Sequence, residues 1–288
     1  MVVSRPNSEL QSVRVGAMRL AGGRKLKGID ARVDSTQPLV TVITAVFNGR
    51  RCIDGCIQSV LHQDYPNIEH IIMDGGSTDG TVESLGRYDD DVALWRSEPD
   101  SGIYDAWNKG LVEASGEWVC FLGADDEFMP NAIAEYMALA AKEPEAEFLS
   151  SRVRVEHPSG YVKILGSPWA WKKFSRMMCT PHVGSMHHRS LFNRLGTYDT
   201  SYRIVADYEF LLRAGDNLHA AYMPDITVRM RAGGISTTSR ALEEAARAKV
   251  VTGKRSKVRT VLELFIEKAL YPIRPPVRLL LRRLKTPS

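Results

Sequence analysis

The chain has 288 residues, 44% hydrophobic and 25% charged, a profile that suits one large α/β domain or two small ones. No apolar run approaches the ~18 residues of a membrane span, and no charged-then-apolar export signal opens the chain, so a cytoplasmic protein is expected. The net charge of +4 conceals a segregation, with basic ends flanking an acidic body. Residues 249–288 set eleven Lys and Arg against Glu263 and Glu267, and residues 1–37 set seven against Glu9, Asp30 and Asp34. Such ends point to an anionic surface as a partner.

In chain order, residues 1–37 are rich in Arg, Gly and Ser without a sustained period and read as a mobile arm. From Leu39 strands and helices alternate. Leu39–Phe47 is a strand, and Cys52, Ile53, Cys56, Ile57, Val60 and Leu61 mark a helix face. Ile68–Met73 is the next strand, followed by a helix capped by Ser77 or Thr78 that runs through Val82 and Leu85. Val92–Arg96, a helix over Ile103–Ala114 and the strand Trp118–Leu122 follow. Pro130 opens a helix with Ile133, Tyr136, Met137 and Ala140 on one face. This alternation predicts a mostly parallel sheet with right-handed crossovers. Past Pro144 the pattern changes, and Phe148–Val155 and Tyr161–Leu165 read as an antiparallel hairpin. A helix is expected over Ala206–Ala214. Cys52, Cys56, Cys120 and Cys179 lack Cys-x-x-Cys spacing and read as packing residues in a reducing compartment.

Chemistry gathers at strand ends. The second strand delivers Asp74-Gly75-Gly76-Ser77-Thr78-Asp79-Gly80-Thr81, and the strand 118–122 delivers Gly123-Ala124-Asp125-Asp126. In open α/β sheets this edge receives nucleotides and phosphorylated ligands. Asp125 and Asp126 offer hard oxygen donors for Mg²⁺ or Mn²⁺ on a diphosphate; a capped polar loop is the alternative. Asp79 suits either a ligand or its helix start. Asp207 could take a proton from an acceptor hydroxyl or cap its helix. Arg213 could pair with Asp207, with phosphate or with a surface acid. His182 is a candidate diphosphate contact, whereas His187 and His188 read as exposed or packing residues.

Together these segments resemble the inverting family 2 glycosyltransferases of the nucleotide-diphospho-sugar transferase (GT-A) fold, from about Thr41 to Arg231. The resemblance rests on the runs Thr41–Asn48, Asp74–Thr81, Asp100–Gly110, Phe121–Asp126 and Ala206–Arg213. The run Ser101-Gly102-Ile103-Tyr104-Asp105-Ala106 is similar to the branch that builds bacterial cell-surface polysaccharides and glycolipids. The resemblance implies a metal held by Asp126 and Asp125, with Asp125 also meeting ribose or phosphate, and Asp207 as general base. It implies Thr44, Val46 and Asp74 around the nucleotide base. Asn48, Ser77, Asp100, Asn108 and His182 complete the candidate contacts to a nucleotide-diphospho-sugar. Gly75 and Gly123 replace acids found in many relatives, which leaves UDP-, GDP- and dTDP-sugars open and thins the metal site. The Gln-x-x-Arg-Trp segment and membrane spans of processive synthases are missing, which implies one sugar per encounter, passed to a glycan or lipid-linked acceptor.

The expected organisation is therefore an arm over 1–37, a transferase domain over 38–238 and a basic amphipathic tail over 239–288. The domain divides into a nucleotide-sugar half, 38–143, and an acceptor half, 144–238. In the tail, Val258, Val261, Leu262, Phe265 and Ala269 form one stripe. Val277, Leu280, Leu281 and Leu284 form another, set among Arg278, Arg282, Arg283 and Lys285. Residues 256–288 thus suit peripheral membrane contact or packing on the domain. A nucleotidyltransferase and a non-catalytic nucleotide-sugar binding module are the rival readings. The basic ends lack aromatic stacking positions, so no nucleic acid is expected as a partner.

Overall fold

The computed structural model describes residues 14–15, 18–29, 34, 36–233 and 238–270. Strands β1 (Arg14–Val15) and β2 (Met18–Arg19) pair with each other. The remaining strands are β3 (Ala21–Gly22), β4 (Val40–Val46), β5 (Ile68–Asp74), β6 (Leu94–Ser97), β7 (Trp118–Gly123), β8 (Glu127–Phe128), β9 (Phe148–Glu156), β10 (Val162–Leu165), β11 (Ser185–His188) and β12 (Ala220–Arg231). They form a 10-stranded sheet in the order β3-β6-β5-β4-β7-β11-β9-β12-β8, with β10 on β9. The helices are α1 (Ile53–Leu61), α2 (Thr81–Gly86), α3 (Ile103–Glu113), α4 (Ala132–Lys142), α5 (Trp171–Phe174), α6 (Arg189–Leu195), α7 (Ala206–Ala214), α8 (Ser239–Val251) and α9 (Lys257–Leu270).

Every residue of β4 is buried, as a central strand covered on both faces requires. β4 pairs in parallel with β5 and β7, and β5 with β6. The register sets Val46 beside Asp74, Asp74 beside Ser97 and Ala45 beside Gly123. Four strands therefore release their loops at one edge. On the opposite side of β7 the sheet is mixed. β11 runs antiparallel to β7 and β9, while β12 runs parallel to β9 with register shifts after Tyr222 and Ile226. Pro224 lies in that interruption, where its missing N–H disturbs no ladder.

The expected elements from β4 to α4, the β9–β10 hairpin and α7 are all present. The arm differs. Ala21 and Gly22 pair with Arg96 and Trp95 of β6. A side chain at Gly22 would meet the Trp95 indole at 2.4 Å. Lys25 then reaches Glu69 at 2.9 Å, the Glu113 carbonyl at 2.6 Å and Ser115 at 3.1 Å. Part of the segment read as mobile thus closes the sheet edge, because a lysine meets a buried carboxylate. The second apolar stripe of the tail, from Val277 to Leu284, lies outside the described residues.

Under the sheet, rings from α3, β7, α6 and α7 pack into one cluster. Trp107 lies 5.1 Å from Phe121 between ring centres, and Phe192 stacks on Phe210 at 4.9 Å. Contacts of this kind fix α3 and α7 relative to the strand ends. Cys56 and Cys120 are buried and all four cysteines are free, as packing residues would be.

Candidate active site

The loop after β5 is built around Asp74. Its carboxylate accepts from the Gly76 and Ser77 amides at 3.1 and 2.9 Å and from Ser97 Oγ at 2.6 Å. Ser77 Oγ donates to the other oxygen and accepts the Asn48 amide at 2.7 Å. Asn48, in a left-handed conformation with φ 50°, accepts the Thr78 amide at 3.0 Å. Asp74, Ser77 and Asn48 therefore weld the β4 and β5 loops together. Asp74 thus accepts three hydrogen bonds at Oδ2 and one at Oδ1, and it is 1% exposed. Asp79 accepts the Thr81 amide at 3.1 Å and the Arg50 amide at 3.0 Å, so it shapes the turn just before α2, whose N-cap is Gly80.

Thr44 and Val46 turn away from this edge. Thr44 Oγ1 is buried against His70 Nε2 at 2.9 Å, and burial holds that imidazole neutral, pushed down to about 3. Val46 packs with Ile53, Ile57 and Ile72 beneath α1. Phe47, which directly follows β4, is instead 66% exposed.

Gly75 explains how Asp100 enters the site. A Cβ there would lie 2.6 Å from Asp100 Oδ2 and 3.3 Å from Phe47. The carboxylate of Asp100 thus fills the space that a longer residue at 75 would claim. Its other oxygen accepts the Gly102 amide at 2.8 Å. Burial raises its pKa, with Asp105 and Asp74 adding to the effect. Half-buried and next to an exposed ring, Asp100 keeps an acceptor available.

At the end of β7, Asp126 is 5% exposed, and its Oδ2 accepts the Gly123 amide at 3.1 Å. The Arg231 backbone of β12 also hydrogen-bonds it. Burial first, then the neighbouring Asp125 charge, pushes its pKa up to about 7. Among the described residues no three His, Cys, Asp or Glu side chains gather for a metal ion. Two adjacent carboxylates that repel each other still fit a divalent cation whose other ligands are water and phosphate.

Asp207 stands half-buried in the first turn of α7. Its Oδ1 lies 2.8 Å from the Tyr104 hydroxyl, which also lies 2.8 Å from the Ile204 carbonyl. Burial raises the pKa of Asp207, and hydrogen bonds from Tyr104 and from the amides of Tyr208 and Asp207 itself oppose the rise. It therefore lies against the amides of its own first turn and also faces Tyr104 of α3. Arg203 donates to the Ser101 carbonyl, so the start of α7 rests on the loop that follows β6. Ser101, Tyr104, Thr200, Tyr202 and Arg203 border a small depression there.

Three expected contacts occupy other positions. Asn108 exchanges both amide hydrogen bonds with the Tyr198 backbone, at 2.9 and 3.0 Å, and so ties α3 to the chain before α7. His182 is buried 5.0 Å from the Phe121 ring, and burial holds it neutral at about 3. Arg213 pairs with Glu209 through Nε at 3.0 Å and with the Leu195 and Thr197 carbonyls, rather than with Asp207. The exposed ring of Phe47 and the phenol of Tyr104 escaped the sequence reading. An aromatic at a strand end beside glycines was the available signal for Phe47. Nothing in the order of residues paired Tyr104 with Asp207.

The profile of glycosyl transferase family 2 matches residues 41–195, more than half of the chain. The chain is a family 2 glycosyltransferase. It is 37% identical to a glycosyltransferase of Mycobacterium tuberculosis over 185 residues, covering 62% of this chain and 70% of that one. It is 27% identical over 216 residues to a PGL/p-HBAD biosynthesis glycosyltransferase of Mycobacterium bovis, covering 70% and 80%. Among solved structures it resembles S. aureus TarS with a TM-score of 0.61 at 15% identity, covering 81% of this chain and 43% of TarS. It thus spans under half of that longer chain. A mannosyltransferase from Pyrobaculum calidifontis, solved with GDP-Man and Mn²⁺, matches with a TM-score of 0.61 at 18% identity, covering 90% and 78%. The glycosyltransferase shares the GT-A-like α/β architecture of both.

Proposed function

We propose that this family 2 glycosyltransferase moves one sugar from a nucleotide-diphospho-sugar to a hydroxyl of a glycan or lipid-linked acceptor, with inversion. The observation that carries this reading is Asp207, half-buried at a helix start and bound to Tyr104 in the first turn of α3. A carboxylate desolvated at the rim of a nucleotide-binding edge is suited to general-base work. In this reading Asp207 takes the acceptor proton as the hydroxyl attacks the anomeric carbon from the side opposite the leaving diphosphate. One displacement inverts the configuration.

The Phe47 ring supports the nucleobase and Asp100 accepts a hydrogen bond from it. Asp74, Ser77 and Asn48 keep those two in place rather than touching the ligand with every atom. Asp126 and Asp125 would hold a Mg²⁺ or Mn²⁺ ion, which when bound supplies positive charge to the departing diphosphate. The PGL/p-HBAD relative supports a role in cell-surface glycolipid or polysaccharide assembly.

Thermal shift against UDP-, GDP- and dTDP-sugars with Mg²⁺ or Mn²⁺ identifies the donor, because a bound ligand raises apparent stability. Asp207→Asn should then cost ~10²–10⁴-fold in turnover while the donor-induced shift stays near the wild-type value. Unchanged turnover refutes the base assignment.

A further inference from the structure

α9 is amphipathic in the opposite sense to a helix that serves only its own domain. Val258, Val261, Leu262, Phe265 and Ile266 recur on one helical face. All five are exposed, Val258 by 81% and Phe265 by 72%. The polar face turns inward instead. Thr260 is buried, and Glu263 receives Arg255 at 2.8 Å and Arg259 at 3.8 Å. Lys268 reaches Glu243 of α8, and the buried Lys249 of α8 feels the charges of Glu267 and Glu263. The pairs Arg255–Glu263 and Lys268–Glu243, with Thr260 and Leu264 turned inward, hold the helix, while a continuous apolar stripe meets solvent. Stripes of this kind mark interaction surfaces.

The charges around the stripe identify what covers it. By helical position Lys257 and Lys268 lie along one border and Arg259 along the other. In sequence, the next eighteen residues, 271–288, which lie outside the described residues, carry Arg274, Arg278, Arg282, Arg283 and Lys285 without an acid, interleaved with Val277, Leu280, Leu281 and Leu284. A second copy of this face would set basic border against basic border. We infer that α9 lies flat on an anionic lipid surface, with its apolar side chains in the headgroup–acyl boundary and its basic borders among the phosphates. No helix among the described residues is long and apolar enough to cross a membrane, so the contact is peripheral. α8 joins α9 to the catalytic side, since Glu244 accepts the Ile204 amide at 2.8 Å and Thr252 donates to Glu209 of α7 at 2.7 Å. The bilayer then meets the acceptor half, where a lipid-linked acceptor would arrive. The inference goes beyond the transfer reaction and does not depend on it.

The test is flotation of the full chain with phosphatidylcholine vesicles containing phosphatidylglycerol at about one part in three, against phosphatidylcholine alone. The expected result is binding to the anionic vesicles only, weakened by about 0.5 M NaCl. The double variant Val261→Glu, Phe265→Glu should bind at least ~10-fold less. Both positions are exposed, so its circular dichroism melt should match wild type, and the melt is recorded alongside. No binding to anionic vesicles overturns the inference. So does binding that the double substitution leaves intact, or a self-association that the substitution abolishes while vesicles bind neither protein. Donor-induced thermal shift and turnover, read on the same proteins, report the catalytic reading separately. Vesicle binding without sugar transfer would overturn that reading and leave this one standing.

Discussion

Replacing Tyr104 by Phe probes the proposed base, Asp207, directly. The phenol sits 2.8 Å from both Asp207 Oδ1 and the Ile204 carbonyl but carries one proton. It donates to the carboxylate when Asp207 is ionised and to the carbonyl when Asp207 is protonated. The variant therefore loses the difference between a charged and a neutral hydrogen bond, about 1 kcal/mol. Converted at 1.36 kcal/mol per unit, that is roughly 0.7 of a pH unit. The sign follows from which form is favoured. A donor to the ionised carboxylate lowers its pKa, so its removal adds to the rise that burial already imposes. Tyr198 also faces Asp207, but burial drives both phenols well above their ordinary value, so neither titrates on the acidic limb. Phe keeps the ring against Trp107, whose centre is 5.4 Å away. The assay is kcat/KM against pH, with donor hydrolysis as the readout before an acceptor is found. The acidic limb should move to higher pH by about 0.5–1 unit, with the plateau rate down by less than about tenfold and donor affinity unchanged. A limb that stays in place, or moves to lower pH, refutes the coupling of Tyr104 to Asp207.

Two further substitutions test other parts of the structure. Lys25→Ala leaves the 2%-exposed Glu69 without its cation, and the Lys25 head is itself partly open to water, so the cost should be about 2–3 kcal/mol. A denaturant melt measures it, and no change would restore the mobile-arm reading. Gly75→Ala places a methyl 2.6 Å from Asp100 Oδ2 and pushes that flexible carboxylate aside. Nucleotide affinity by calorimetry should fall roughly tenfold, about 1.4 kcal/mol, with stability nearly unchanged. Full affinity would remove Asp100 from the base pocket.

The nucleotide half was legible because its signals are local. Short apolar runs closed by Gly and Asp define β4, β5 and β7, and an apolar stripe defines α1, so residues close in sequence decide the structure. Past residue 144 only the β9–β10 hairpin and α7 were legible, since β11 and β12 are recognised by what they pair with. Ser185–His188 is a strand because β7 and β9 flank it on both sides. β12 joins β9 across more than sixty residues of chain, and no nearest-neighbour pattern carries that information. β3 is the same case in miniature, two residues made into a strand by the free edge of β6.

The side chains were harder to place than the strands because residue type names a capacity and not a direction. Thr44 and Val46 stand two apart on β4, and period 2 sends both to one face, whereas Asp74 ends β5. Thr44 and Val46 thus spend their side chains beneath α1. Asp74 faces the edge yet is enclosed by its own loop and Ser97 of β6. That enclosure has a consequence for the site. A carboxylate so covered reaches a ligand only if a loop hydrogen bond opens, which costs about 1 kcal/mol or more. Asp100, with one oxygen held by Gly102 and the other lying in the space left by Gly75, faces no such cost. In the proposed reading, the absence of a side chain at 75 therefore moves the base acceptor from the end of β5 to the loop after β6. Asp207 rests on the same stretch of chain, so the proposed nucleobase contact and the proposed proton removal both depend on a single segment from Asp100 to Tyr104.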